Sequence, residues 1–482
     1  MFESLPFALV EPSVVTFENT TYALVNDETS GEDRLAISGS FGGFAGEMLA
    51  GEVLLAPLTP ENARELRRRL PWLRPGVLGL RTSAGFGDRL GLATPGHVLA
   101  VRGTGVAPIF AQQSVRENTR TGRTPQQVVD DAMWGVLRAG WREPWGADAD
   151  HLKQPEDILS FVAAGYSFFT IDAGEYVDDA AETDDEGVLL RKVQALPWND
   201  LQSSLDDMQA RYLGHVELDG LSLEFSPQTL YRALGKYGKA LVHMMRMAHH
   251  LHAEMDQRPY ELEISIDETG TLTSLPEHFF LVSECRRLLI PLQSIAPRFV
   301  GRFEKGVGYL GDVQELERNL AGHARIMRFF GNSYKLSLHT GSDKFEVYEP
   351  AMRSTNGLVH LKTAGTSYLE ALRLIAAVDA RLFRAIWDFA RAHYEADRRT
   401  YHVSARLENT LPASSLADER LPDLLGQFAA RQVLHVTFGS VLETFGQQVQ
   451  QVLRANRSAY DALIQQHFRR HLQPFCQRED TR

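Results

Sequence analysis

From Gly76 to about residue 366 the chain repeats one pattern: a short apolar run, a polar or glycine-rich tip, then a stretch with apolar residues three and four positions apart. Read as strands, the apolar runs fall at Val77–Leu80, Ile109–Gln112, Trp145–Ala149, Phe168–Ile171, Tyr260–Ile266, Leu289–Ser294, Tyr334–Leu338 and Gly357–Leu361. The stretches between them read as helices. Thr124 to Arg138 and Pro155 to Ala164 each place a proline where the first helical residue falls. Strand alternating with helix eight times predicts an α/β protein, a (β/α)8 TIM-type barrel whose functional groups collect at the C-terminal strand ends. Residues 76-375 form that barrel in this reading. Residues 1-75, with short β-type runs and one arginine-rich helix (Thr59 to Leu70), predict an N-terminal α+β extension. Residues 376-482 read mostly as amphipathic helices and predict a helical C-terminal extension packed on the barrel.

The longest connection, about residues 172 to 259, holds an acidic run from Asp178 to Glu186 and a long helix from Ser226 to Glu254. The acidic run lacks the glycines of a calcium loop and reads as solvated. His249 and His250 point to different faces of the helix, so its histidines read as packed or exposed rather than as metal ligands.

Composition narrows the function classes. The 482 residues are 44% hydrophobic with a net charge of −12, an ordinary globular balance without a basic field for nucleic acid or an anionic membrane. The two cysteines, Cys285 and Cys476, have no CxxC or Cys/His ligand spacing, which argues against disulfides, a zinc ribbon or a thiol redox site and fits a reducing cytoplasm. MFESLPFALVEPS has no basic segment leading into an apolar one, and no window approaches a membrane span. A cytoplasmic protein with neither nucleic acid nor membrane as partner is expected, its oligomeric state left open.

Candidate chemistry sits at the strand tips. The segment Trp145-Gly146-Ala147-Asp148-Ala149-Asp150-His151-Leu152-Lys153 ends in acids and an imidazole directly before a helix opened by Gln154-Pro155-Glu156-Asp157. Charges buried there need a cation or a substrate to compensate them. Taken alone, the segment equally fits a surface turn in which Asp150 caps the helix. From Tyr260 to Thr269, Leu262, Ile264 and Ile266 alternate with Glu261, Glu263, Ser265 and Asp267, which turns carboxylates toward the barrel interior, where they need partners. His339 ends the seventh strand ahead of Asp343-Lys344, and His360 lies on the eighth before Lys362-Thr363-Ala364-Gly365-Thr366-Ser367. Three imidazoles thus fall near the tips of three strands, and neutral imidazoles with carboxylates suit a divalent cation that keeps open positions. The turn at 363–367 offers backbone N–H groups at a helix N-terminus, an anion site to which Lys362 and Lys344 add charge. Gln113 with its neighbours Gln112, Ser114 and Arg116 follows the second strand and reads as a contact for sugar hydroxyls or a carboxylate. The glycines at 85, 87 and 91 open no helix and make no dinucleotide fingerprint.

With these motifs the sequence resembles the tagaturonate epimerases, sugar-acid enzymes of hexuronate catabolism. The resemblance rests on GFGDRLGLATPGH (85–97), Asp-Ala-Asp-His-Leu-Lys (148–153), Glu-Ile-Ser-Ile-Asp-Glu-Thr (263–269), APRFVG (296–301), FEKG (303–306), SLHTGSDKF (337–345), HLKTAGTSYLEALR (360–373) and RQVLHVTFGS (431–440), and runs from about residue 76 nearly to the end. It implies a metal-dependent barrel that interconverts D-tagaturonate and D-fructuronate by inversion at C4. The chain is also distantly similar to the class II aldolases. By position, that likeness implies Asp150 as acid/base beside a metal ligand His151, Glu268 as a second proton carrier and His339 as a ligand. Where those aldolases place a histidine on strand six, this chain has Gln293 and Ser294. The third ligand then falls to His360, with Glu304 in reserve. Gln113, Lys344, Lys362 and Thr366 are left as substrate contacts, and manganese, nickel, zinc or iron as the cation.

A C4 hydrogen lies β to the C2 ketone and is not acidified by it, so the expected route is retro-aldol cleavage of C3–C4 followed by re-addition. Two other classes stay open: another metal-dependent sugar-acid isomerase or class II-type aldolase on the same barrel, and a non-catalytic sugar-acid-binding barrel.

Overall fold

In the computed structural model, which describes residues 2, 6–27, 30–49, 53–339, 343–363 and 365–476, eight parallel strands close into a barrel in chain order. They are β1 (Ser83–Gly85), β2 (Ala107–Ser114), β3 (Gly146–Leu152), β4 (Phe168–Asp172), β5 (Glu261–Ser265), β6 (Leu292–Ala296), β7 (Lys335–His339) and β8 (Val359–Lys362). The helices that bear on the site are α1 (Val115–Thr121), α2 (Pro155–Ala164), α3 (Phe345–Thr355), α4 (Thr366–Val378), α5 (Phe428–Val436) and α6 (Arg457–Leu472). The α/β barrel expected from the alternating pattern is the fold of the chain.

Two strands depart from the expectation. Val77–Leu80 is not a strand; the chain crosses the N-terminal end of the barrel there, and buried Leu78 packs on Ala107, Ile109 and Phe168. The first strand is the short Ser-Ala-Gly segment, with Ser83 in register with His360 on one side and Ala107 on the other. Its small residues give no hydrophobic run to read. Gly85 leaves the room that the Gln112 amide fills, since a Cβ at 85 would overlap it. Strand six starts at Leu292 because Leu289, left-handed at φ 57° and 84% exposed, belongs to the preceding turn.

An antiparallel six-stranded sheet precedes the barrel, and helices follow it. Tyr22 of that sheet, Phe110 of β2 and Phe468 of α6 share one buried apolar cluster. The extensions and the barrel therefore exclude water together. The helix Thr94–Val101 lies against α6 at Gly96, where a Cβ would stand 2.6 Å from that of Ile464. Among the described residues no helix is long and apolar enough to cross a membrane.

Candidate active site

The mouth of the barrel takes its shape from an irregularity in β3. The register of β3 against β4 slips between the pairs Phe169–Ala149 and Ile171–Leu152, and His151 adopts a left-handed φ of 55°. Such a bulge adds a residue to one strand and re-aims a side chain. Asp150 and His151, adjacent residues that a regular strand would send to opposite faces, instead touch: His151 Nδ1 lies 2.7 Å from Asp150 Oδ1. A non-glycine residue held left-handed costs roughly 1–3 kcal/mol and persists only where its surroundings fix it.

Below the mouth the interior is charged. Lys362 Nζ stands 2.9 Å from Asp148 Oδ2, 2.7 Å from Asp150 Oδ1 and 2.9 Å from Glu263 Oε1, and donates to Thr170 Oγ1 at 2.5 Å. Burial works against its charge, but the three carboxylates outweigh burial and hold the amine well above the usual lysine range. Glu263 also accepts from Ser294 Oγ at 2.5 Å and lies 2.8 Å from His339 Nε2. Lys362 and His339 keep it well below the ordinary glutamate value despite burial. One ammonium cannot keep three buried carboxylates ionised. Burial pushes Asp148, the deepest, up to about 7.

At the rim, His339 Nδ1 lies 2.9 Å from Asp267 Oδ1, and the rings of His339 and His151 are 5.1 Å apart. His151, His339 and Asp267 bring three ligand atoms within 4.8 Å of one another, and His151 forms an overlapping group with Asp172 and Glu268. Among the described residues His151 Nε2 is buried without a hydrogen-bond partner while its Nδ1 faces Asp150, an arrangement that orients an imidazole toward a cation. The donor set fits a divalent ion. Glu268 Oε1 lies 3.7 Å from both Arg116 and Lys305. Burial opposes its ionisation, yet Lys305, His151 and Arg116 hold it down at about 2. Arg116, Asp267, Glu268, Lys305, His339 and Tyr401 line a cavity of about 390 Å³, a size suited to a small ligand. A larger cavity of about 560 Å³ lies between the N-terminal sheet and α6 and has no imidazole in its wall.

The remaining expected site residues meet other partners. His360 sits two residues before Lys362, about 6.6 Å deeper along the strand. Its Nδ1 meets Ser83 Oγ at 2.9 Å and burial lowers its pKa to about 3; it joins none of the ligand groups. Asp267 stands in the place expected of His360. Glu304, the reserve, lines the 390 Å³ cavity but joins no ligand group among the described residues, and accepts from Ser404 Oγ at 2.7 Å and Gln432 Nε2 at 2.9 Å. Gln113 faces outward to Thr121 of α1, at 3.3 Å, whereas its neighbour Gln112 faces inward, 3.5 Å from Asp150 Oδ2. Lys344 is buried and donates to the carbonyls of Glu304 and Val307 at 2.8 and 2.9 Å. Thr366 is buried and donates to Thr363 O at 3.2 Å, so its hydroxyl holds the α4 turn rather than a ligand. Lys362 neutralises interior carboxylates. Ala364 of the expected turn at 363–367 lies outside the described residues. Asp267 was legible as an inward carboxylate and Arg116, at the start of α1, as a contact after the second strand, but Lys305 comes from a loop and Tyr401 from the C-terminal extension, where no periodic signal points at the mouth.

The profile of the tagaturonate epimerase family matches residues 11–475. A tagaturonate/fructuronate epimerase of Thermotoga maritima is 42% identical over 416 residues, covering 86% of this chain and 84% of that protein. The native crystal structure of a fructuronate-tagaturonate epimerase from Cohnella laeviribosi superposes with a TM-score of 0.93 at 36% identity, over 98% of this chain and 97% of that one. A glycerol complex of the Cohnella enzyme gives a TM-score of 0.92 at the same identity, over 97% and 96%.

Proposed function

This chain belongs to the tagaturonate epimerase family, and on that premise we propose that it is a divalent-metal-dependent enzyme that interconverts D-tagaturonate and D-fructuronate by inversion at C4 through retro-aldol and aldol steps. The observation that carries the reading is the convergence of His151, His339 and Asp267 on one point, with Glu268 at its edge. A divalent cation held by these three would polarise the substrate's ketone and adjacent hydroxyl.

Arg116 and Lys305 hold the substrate carboxylate. A carboxylate that claims them strips Glu268 of its nearest counter-charges, so its proton affinity rises toward the ordinary glutamate value once substrate is bound. Glu268 then takes the C4 hydroxyl proton. The C3–C4 bond breaks, its electron pair passes to C3 and forms an enediolate across C2 and C3, and C4 becomes an aldehyde carbon. The three-carbon aldehyde acid turns over, the enediolate attacks its opposite face, and Glu268 returns the proton to the C4 oxygen. Asp150, paired with His151 and Lys362, orients the imidazole.

Incubating the protein with D-tagaturonate before and after chelation, with manganese, nickel, zinc or iron restored, tests the metal requirement. In deuterated water the product keeps its C4 hydrogen, and a carbonyl trap captures the aldehyde acid. Exchange of C4–H with solvent at the turnover rate, with no fragment trapped, would overturn the retro-aldol route.

A further inference from the structure

A second group of metal-ligating atoms lies outside the mouth, between the segment after β7 and the last helix. His467 and His471 sit four residues apart on α6, which puts both imidazoles on one face of that helix. Their Nε2 atoms are 3.1 Å apart, and both face Asp343 Oδ1, at 3.3 Å from His467 and 3.2 Å from His471. Three donors around a tetrahedral cation at bond lengths of about 2.0–2.1 Å stand about 3.3 Å from one another. The observed triangle has those edges.

Protons do not close this triangle as well as a cation does. If both imidazoles carry hydrogen on Nε2 and donate to Asp343, the short edge between the nitrogens sets two N–H groups against each other. If either lacks that hydrogen, one edge brings two lone pairs together. A cation satisfies all three edges. The outer atoms are held as an ion site requires. Tyr348 Oη of α3 lies 2.7 Å from His471 Nδ1, Glu370 Oε1 of α4 lies 3.5 Å from His467 Nδ1, and Arg431 of α5 donates to the other oxygen of Asp343 at 2.8 Å. His467 and His471 are buried, and the group borders a cavity of about 440 Å³ that gives an ion entry and room for a water as fourth donor.

We propose that Asp343, His467 and His471 form a second divalent-metal site, of the zinc class by its two imidazoles and one carboxylate, that clamps α6 to the chain four residues beyond His339. The site lies apart from the mouth: none of its three donors lines the 390 Å³ cavity. The inference does not depend on the reaction assigned to the mouth.

Metal content per chain, measured on the full-length protein after loading with zinc and dialysis against a weak chelator, tests it. Two equivalents are expected in the wild type, one in His467→Gln/His471→Gln and one in His339→Gln. With cobalt as the probe, the visible absorption of a tetrahedral nitrogen and oxygen site persists in His339→Gln and is lost when His467→Gln/His471→Gln is added to that variant. Should the double variant fail to fold, Asp343→Asn replaces it: chelation lowers the melting temperature of His339→Gln and leaves that of Asp343→Asn/His339→Gln unchanged. Equal metal content in the wild type and the His467/His471 double variant overturns the proposal, as does a His339→Gln protein that retains no metal. Loss of epimerase activity with both equivalents present would count against the mouth and leave this site standing.

Discussion

Asp267 places its Oδ1 2.9 Å from Nδ1 of His339, on the side of the imidazole opposite Glu263. The two carboxylates hold this histidine's pKa up to about 10: burial opposes its charge, and Asp267 with Glu263 outweighs burial. A cation that displaced the Nδ1 proton would share the Asp267 oxygen, which makes the contact a ligand pair in waiting. Asp267→Asn keeps the shape and removes the charge. Metal affinity should fall about 10- to 100-fold, as it does when a ligand or its close support is changed, while His360→Gln should leave metal content at the mouth unaltered. Titration of the apoprotein with manganese or zinc reads both.

Glu268 is the proton carrier of the proposed reaction, and its two cationic neighbours are the grip on the substrate's carboxylate. Glu268→Gln should lower kcat about 10²- to 10⁴-fold, the range that general acid–base groups contribute, with KM little changed. Arg116→Gln should raise KM more than it lowers kcat. Steady-state kinetics on D-tagaturonate separate the two, and a Glu268→Gln enzyme of undiminished kcat would remove this residue from the mechanism.

Much of the barrel was legible because eight runs of apolar residues alternate with helices, and periodicity survives without knowledge of neighbours. What failed was local. Ser83–Gly85 is a strand by its partners rather than by its residues, and Val77–Leu80 is apolar because Leu78 plugs the barrel end. The side chains that make the site depend on which face each residue takes. A bulge at His151 turned that imidazole inward, and a register slip in β2 between Ile109 and Ala111 sent Gln113 out and Gln112 in. His360 and Lys362 read as tip residues, yet the strand ends at Lys362, so both point into the interior below the rim. The His467–His471 spacing on α6 was readable from sequence, but its third member arrives from more than a hundred positions away and only the fold supplies it.

Lys362 is the counter-charge for three buried carboxylates, and its removal leaves them facing one another. Lys362→Met should lower the unfolding free energy at neutral pH by about 3–5 kcal/mol, the cost of breaking a buried ion pair. The deficit should shrink as pH falls, because the stranded carboxylates, Asp148 first, take up protons and lose their repulsion. Guanidinium unfolding of both proteins at neutral and mildly acid pH measures the effect. A deficit that grows on acidification would mean that Lys362 does not neutralise this group.

Lys344 gives a pH dependence of opposite sense to that of an ordinary ion-paired lysine. Its ammonium is buried against two carbonyls, and burial, with Lys305 adding repulsion, pushes the pKa down to about 7. In the unfolded chain the same group keeps its proton to a pH of about 10.4. Between these values the unfolded state binds the extra proton, so the native state gains stability from this residue as pH rises through the window and loses it as pH falls. Lys344→Met removes the titration while preserving most of the apolar stem. The stability of the wild type relative to the variant should therefore increase between pH 7.5 and 9.5, by on the order of 2 kcal/mol if the full shift is expressed. Chemical denaturation of both proteins at the two pH values gives the difference. A gap that stays constant would show that Lys344 remains charged in the folded protein, held by the carbonyls of Glu304 and Val307 strongly enough to cancel its burial.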